Sequence, residues 1–588
     1  MKTILFLFCL AAGAAAAQDA HPILFASEKE FVELRDRCEN DSLCRAGQER
    51  VLADADRILK LPPLTRVLKD GRLEAADEAV WRISHLAMAW WLAQNEKYVV
   101  RCAAELKAIA AFEDWNPADF RDTAALTLAA AIGYDWLYAK LDYGDRSEIS
   151  RAILEKGIKA GMATPGWARS RASLAQIGHG GMLAGNIVLW DAYGREYGEK
   201  FLKSAVENLP KAMETLYSPN GGYAEGPERW RTGTAFAVLA VSALEHAFEN
   251  DSGLAKVPGF DKTGDFPTLI TGPTGLQFNF GDNSAVREPS CAAWWLAKRF
   301  NRPDWVAGYE LDQFKAYAKS SEGRNKLFVF SLLWCFPVEG KVEIKVPAEW
   351  SGEGAVPITV QRSGTDPAKM IYAALKGGSP SVPGGQMDAG TFIFESQGVR
   401  WACDLGPEPK APSDPAQSSP RWKLFRQGCF SHNVPVIAGL PQKADGTGKI
   451  FSFKTPDGSS EAVFDLSELY PTVASVWRKS RLGAEGLYEI RDLVKGPPAV
   501  KVRWQMLTRA EIEDNWKNTV ILRDGKKRLQ LTAEHNPKTV WKIIELAKPI
   551  SENDSANPGF RLLTFEDYTS AEGELNFHVK FENLVPAR

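Results

Sequence analysis

The periodicity of apolar residues changes once along this chain, near Pro337, and that switch constrains the fold more than any other feature. From about residue 28 to 335 apolar residues recur every three or four positions. Examples are "AVWRISHLAMAWWLAQNEKYVVRCAAELKAIAAF" (79–112), "DTAALTLAAAIGYDWLYAKL" (122–141) and "TAFAVLAVSALEHAFEN" (234–250). Several of these segments are apolar almost all round, which predicts helices buried on most sides in a multilayered helical domain. Many helices joined by short loops, without a fixed sequence repeat, suit a toroid of helical hairpins. Beyond Pro337 the segments are short, β-branched or aromatic, and often alternating, as in "TFIFES", "VASVWRKSRL" and "LNFHVKFENL". Gly, Pro, Asn and Asp punctuate them, which predicts an antiparallel β-sandwich. The expected class is therefore multidomain, α then β: an (α/α) toroid over 18–336 followed by an antiparallel β-sandwich over 337–588.

The first residues suggest a compartment. Lys2, the apolar run "ILFLFCLAAGAAAA" and the small residues before Gln18 read as a signal peptide over 1–17, so a periplasmic or secreted protein is expected. That run is too short and Ala-rich for a good membrane span, and no later segment is apolar enough for one. The formal charge is −3 with no basic stripe, which argues against nucleic acid as a partner. The nineteen Trp hint at sugar-stacking surfaces, although most belong in a core. Cys38 and Cys44 flank "ENDSL" and can bridge in an oxidising compartment, whereas Cys102, Cys291, Cys335, Cys403 and Cys429 read as buried thiols.

The stretch richest in chemistry is "NGGYAEGPERWRTGT" (220–234). Arg229 and Arg231 flank Trp230 and offer paired N–H donors suited to carboxylate or sulfate. Glu225 reads as the residue that orients them. A second stretch, "QIGHGGMLAG" (176–185), puts Gln176 and His179 about one helical turn apart on one face. The polar, Gly-containing "FNFGDNS" (278–284) reads by default as a turn, with a cleft loop as the alternative.

"GGYAEGPERWRTGT" (221–234), "QIGHGGMLAG", "GGQMDAGTFIFESQGVRWACDLG" (384–406) and "RWKLFRQGCFSHNVPVIAG" (421–439) together resemble, in order, motifs of the heparinase II/III-like polysaccharide lyases. The resemblance implies β-elimination on a uronic-acid glycan: a neutralised carboxylate, a base for the C5 proton and an acid for the departing O4 oxygen. An acidic polysaccharide is the expected partner. The chain departs from the pattern at five positions, one of them Arg229, which falls at the Tyr preceding the catalytic one. Ala175 falls where the family has its neutralising Asn, Thr232 where it has its catalytic Tyr, and Gly384 and Gln386 where it has two His. The resemblance accordingly leaves His179 and Tyr223 as the catalytic candidates. Gln176, Glu225, Arg229, Arg231 and Arg426 are the candidates for substrate contact, with at least one arginine of the loop expected near Gln176 and His179. It also implies zinc on Asp404, His432 and Gln386. A Gln carbonyl is a poor zinc ligand, and the alternative is a buried Asp404–His432 hydrogen-bonded pair. Two other functions stay open: a catalytically impaired glycan-binding relative, and a glycoside hydrolase, which needs a carboxylate pair.

Overall fold

The computed structural model describes residues 21–584, apart from 339, 365, 367, 410, 455–457 and 484. The signal peptide expected over 1–17 lies outside the described residues. The chain divides into two compact units. The first comprises the chain to Thr215, Trp230–Gly264 and Glu288–Lys345; the second comprises Leu216–Arg229, Asp265–Arg287 and the chain from Val346.

The helices are α1 (Glu28–Asn40), α2 (Ser42–Ile58), α3 (Ala75–Ala93), α4 (Glu96–Ala110), α5 (Phe120–Trp136), α6 (Tyr143–Ala152), α7 (Ser173–Val188), α8 (Glu199–Leu216), α9 (Pro227–Phe248), α10 (Cys291–Arg299), α11 (Tyr309–Lys319) and α12 (Phe328–Trp334), with shorter turns between them. Helices α3, α5 and α7 are buried on nearly every side. They pack on one another in succession, α3 on α5 and α5 on α7. Helix α4 buries one face only, as expected of an outer helix. Sequence periodicity thus translates into two layers. The layers close because α2 packs on α11 and α12. Arg50 fastens that closure: its Nε donates to Asp54 at 3.0 Å and its Nη2 to the carbonyls of Glu322 and Gly323 at 3.0 and 3.1 Å. Its side chain is buried, so losing these partners would leave an uncompensated charge, at a cost of about 3–5 kcal/mol. Cys38 and Cys44 form the expected disulfide between α1 and α2, and the other five cysteines of the described residues are free and buried. No helix among the described residues is long and apolar enough to cross a membrane.

The second unit contains strands β1 (Glu349–Gly352), β2 (Ile358–Ser363), β3 (Ile371–Lys376), β4 (Phe392–Ser396), β5 (Val399–Ala402), β6 (Val436–Ile437), β7 (Lys449–Lys454), β8 (Ser460–Asp465), β9 (Ser475–Leu482), β10 (Tyr488–Lys495), β11 (Lys501–Thr508), β12 (Glu511–Trp516), β13 (Thr519–Asp524), β14 (Lys527–Ala533), β15 (Lys542–Glu545), β16 (Arg561–Tyr568) and β17 (Glu574–Leu584). They form an eight-stranded sheet, β12-β13-β14-β17-β10-β9-β8-β7, a four-stranded sheet, β15-β16-β11-β6, and a five-stranded sheet, β1 to β5 in order. Every pairing in them is antiparallel. Strand β9 shows why the alternation read correctly: its burial alternates at every residue. One core takes side chains from all three sheets, among them Phe394, Trp401, Trp504, Phe565 and Phe581.

A single sequence boundary at 336/337 does not describe this division. The segment 265–287 joins the sandwich through long-range polar contacts. Arg400 donates to the carbonyls of Gln277 and Leu276, both at 2.8 Å, and Thr274 N–H donates to Glu395 at 3.0 Å.

Candidate functional site

The "GHGGM" helix is spent on packing. A Cβ on Gly181 would stand 2.2 Å from the Ala124 carbonyl oxygen of α5, and one on Gly180 would stand 2.5 Å from that of Phe236 in α9. The two glycines let α7 run between two neighbouring backbones. His179 is fully buried. Its ring meets Trp167 edge-on at 4.9 Å between centroids and lies 6.1 Å from Phe201. Its Nδ1–H donates to Ala175 O at 2.7 Å, while the buried Nε2 has no partner. Burial pushes its pKa down to about 4, against the small upward pull of the Ala175 carbonyl, so the ring is neutral. Gln176 is also fully buried.

The "EGPERW" loop is built differently. Gly226 takes φ +84°, and Pro227 follows as the first residue of α9, where its missing N–H costs nothing. The cap comes from afar. Asn283 of the "FNFGDNS" turn accepts from Glu228 N at 2.9 Å and donates to Glu225 O at 2.8 Å and Phe280 O at 2.7 Å. A Cβ on Gly226 would stand 2.4 Å from the Asn283 amide, so the Gly serves this contact as well as the turn. Glu225 is 4% exposed and Tyr223 1% exposed. Tyr223 packs against Tyr217 at 5.3 Å, and burial, then Glu225 and Tyr217, push its phenol far above the ordinary tyrosine range.

Around this loop the second unit assembles a polar cluster. Asp282 accepts from Gln386 Nε2 at 3.0 Å, from Gln427 Nε2 at 2.9 Å and from Arg421 Nη2 at 3.3 Å. Arg421 also donates to Gly385 O at 2.7 Å and to Gln427. Gly384, at φ +69°, has no side chain, and the Arg229 guanidinium lies in that space, with its Nε 2.7 Å from where a Cβ would be. Arg229 Nε is buried without a hydrogen-bond partner. Among the described residues no carboxylate pairs with Arg229, whereas Arg231 pairs with Glu288 at 2.9 Å and Arg421 with Asp282. Arg426 is occupied structurally, by Asn557 at 2.9 Å and Pro407 O at 2.8 Å, which leaves it no free donor fork for a substrate.

The zinc ligand set implied by the resemblance does not fit these residues. Asp404 accepts from His432 Nδ1 at 2.8 Å through one oxygen and from Gly406 N at 2.8 Å through the other. Only His432 Nε2 and the neutral Gln386 Oε1 lack partners. No group of three or more His, Cys, Asp or Glu among the described residues could hold a metal. The pair expected as the alternative is present. Burial works against a charged His432, but Asp404 outweighs it and raises its pKa.

Arg231 has surroundings of its own. It lines a cavity of about 860 Å³ within the helical unit, together with Thr232, Trp81, Glu288, Glu310 and Arg324. Neither Gln176 nor His179 belongs to that lining, and Arg231 does not hydrogen-bond His179. Trp81 is 2% exposed, and its Nε1–H has no partner. Asn283, Asp282, Arg421, Gln427 and Trp81 were not anticipated. Their signal was weak: a polar turn, an arginine beside a Trp, and one Trp among nineteen.

No sequence family model matches the chain, and no curated protein sequence matches it. Solved structures do. The chain is similar to heparinase III, at a TM-score of 0.64 and 12% identity over 92% of this chain and 85% of that one. It is also similar to heparan sulfate lyase HepC from Pedobacter heparinus, at 0.59 and 12% over 94% and 87%. A further heparinase III aligns at 0.56 and 13% over 88% and 80%. The fold is a helical toroid followed by an antiparallel β-sandwich. At these identities the likeness establishes the fold alone.

Proposed function

We propose that this protein is an exported, lyase-fold protein that recognises a uronic-acid-containing polysaccharide, with Arg229 as the group that takes the uronate carboxylate. The observation that carries the reading is the state of Arg229. Its Nε is buried and unpartnered, and it fills the space left by the missing side chain of Gly384. The residue as a whole is only part-buried, and a guanidinium without a carboxylate partner among the described residues suits a ligand carboxylate through its N–H donors. Arg231 supports a second contact from its own cavity. Export rests on the 1–17 segment and agrees with the Cys38–Cys44 disulfide.

A second reading adds cleavage of that glycan by β-elimination and is favoured by the likeness to heparinase III and HepC. It assigns proton transfer to His179 and Tyr223, supported by Gln176 and Glu225. The burial of His179 and Tyr223, at 0% and 1% exposed, weighs against it. Arg426 drops out of the substrate-binding set because its donors are spent.

Heparan sulfate, hyaluronan, alginate and glucuronan, each incubated with the protein, separate the readings. Binding without unsaturated product supports recognition alone. Ultraviolet absorbance from the unsaturated uronate supports cleavage. New reducing ends without that absorbance would support the glycoside hydrolase alternative and count against both. No binding to any of the four overturns the proposal.

A further inference from the structure

The outer face of the eight-stranded sheet carries an aromatic pair that the candidate site does not use. Phe451 lies in β7, the edge strand, and is 68% exposed. The register between β7 and β8 pairs Ser452 with Val463 and Ile450 with Phe464, so Phe451 is the extra residue of a β-bulge. A bulge turns a side chain out of the regular alternation. Here it brings the Phe451 ring to Trp477 of β9, 4.7 Å between centroids at 82°. Phe451 also lines a groove of about 510 Å³ with Ser351, Gly354, Pro357, Gly448 and Lys449.

Cations surround the pair in a fixed pattern. Glu461, 7% exposed, holds Lys479 at 2.8 Å and Lys454 at 3.9 Å. Glu489, 4% exposed, holds Arg481 and Arg491, both at 3.6 Å, and His578 at 2.9 Å. The glutamates lie beneath, while the side chains of Lys454, Lys479, Arg481 and Arg491 are 60, 37, 39 and 45% exposed. Of the remaining acids near β7, Asp465 is turned to Ser467 N at 2.9 Å and Glu468 is paired with Lys449. The surface offers apolar rings and outward cations; the acids nearest those cations are buried or paired, and one exposed carboxylate, Glu353, lines the Phe451 groove.

We propose that this face is a second glycan-binding site, which takes an acidic polysaccharide chain with a sugar ring on the Phe451–Trp477 pair and its carboxylates or sulfates on Lys454, Lys479, Arg481 and Arg491. It rests on the reading that the ligand is an acidic polysaccharide. The aromatic rings supply apolar faces at little entropic cost, and the cations supply charge complementarity. A polymer engaged here and at the candidate site would gain avidity that a short oligosaccharide cannot.

The test is hydrogen–deuterium exchange on the full chain with polymeric heparan sulfate, hyaluronan, alginate and glucuronan. The expected result is slowed exchange in 449–454 and 475–482 with at least one polymer. Phe451→Ala with Trp477→Ala should then weaken that polymer's binding about tenfold, equivalent to about 1.4 kcal/mol. If the double variant melts lower than wild type, Lys454→Glu with Lys479→Glu probes the same face by charge and should give a similar loss. No slowing with any polymer, or variants that bind like wild type, overturns the proposal. A dimer dissolved by these substitutions, seen by light scattering, overturns it in favour of a second copy on the edge strand. Peptides across 221–234 and the Arg229→Gln variant report on the candidate site separately, so either reading can fail without the other.

Discussion

The α7 helix and the "EGPERW" loop are both dense in recognisable motif residues, yet they use them in opposite ways. In α7 the glycines admit neighbouring backbones and His179 fills an aromatic cage, so the motif serves as scaffold. In the loop the backbone is pinned by Asn283, and the side chain left over is an arginine without a counter-ion. A shared motif therefore separates into residues that build the toroid and residues that meet a ligand, and substitution should tell them apart.

The largest effect is expected in the scaffold. Gly181→Val would drive side-chain atoms into the Ala124 carbonyl. A loss above about 3 kcal/mol, or failure to fold, is expected in chemical denaturation. A small loss would mean that α7 is not packed as described.

Arg229→Gln should act in the reverse sense. Removing an unpaired buried donor should leave the melting temperature unchanged or slightly raised. Glycan binding should fall by about 10- to 100-fold, matching roughly 1.5–3 kcal/mol for a charged hydrogen-bonded contact. A destabilised variant with unchanged binding would make Arg229 scaffold too.

The two histidines sharpen the comparison through pH. His179 has a lowered folded-state pKa, so the unfolded chain binds the proton more readily. Stability should fall as pH drops from about 6.5 towards about 4. His179→Gln should remove on the order of 2 kcal/mol of that dependence. His432 is raised, chiefly by Asp404 acting against burial. Its contribution is complete below about 6.5 and is lost as pH rises through its folded value. His432→Asn should flatten that higher-pH loss. Melting curves from pH 4 to 9 check both signs.

How much of this was legible depends on the range of the interaction. Inner helices and alternating strands follow from local periodicity, so α3, α5, α7 and β9 could be read directly. The division into units could not, because Arg400 and Glu395 capture 265–287 from more than 120 residues away. The same holds at the site. Asn283 caps a helix 55 residues distant, which a polar turn in the sequence does not reveal. The Asp404–His432 pair was readable because it follows from what Gln386 cannot do as a zinc ligand. The separation of Arg229 from Arg231, two residues apart but in different surroundings, was not, since it depends on where α9 leaves its cap.

The central claim is that a uronate carboxylate is recognised through Arg229. Its most direct test is a calorimetric titration of wild type and Arg229→Gln with a uronic-acid oligosaccharide and with the same oligosaccharide after its carboxyl groups are reduced to alcohols. The account predicts tight binding of the acid by wild type, at least about tenfold weaker binding of the reduced form, and an Arg229→Gln variant that no longer distinguishes them. Equal binding of the two forms by wild type would contradict it.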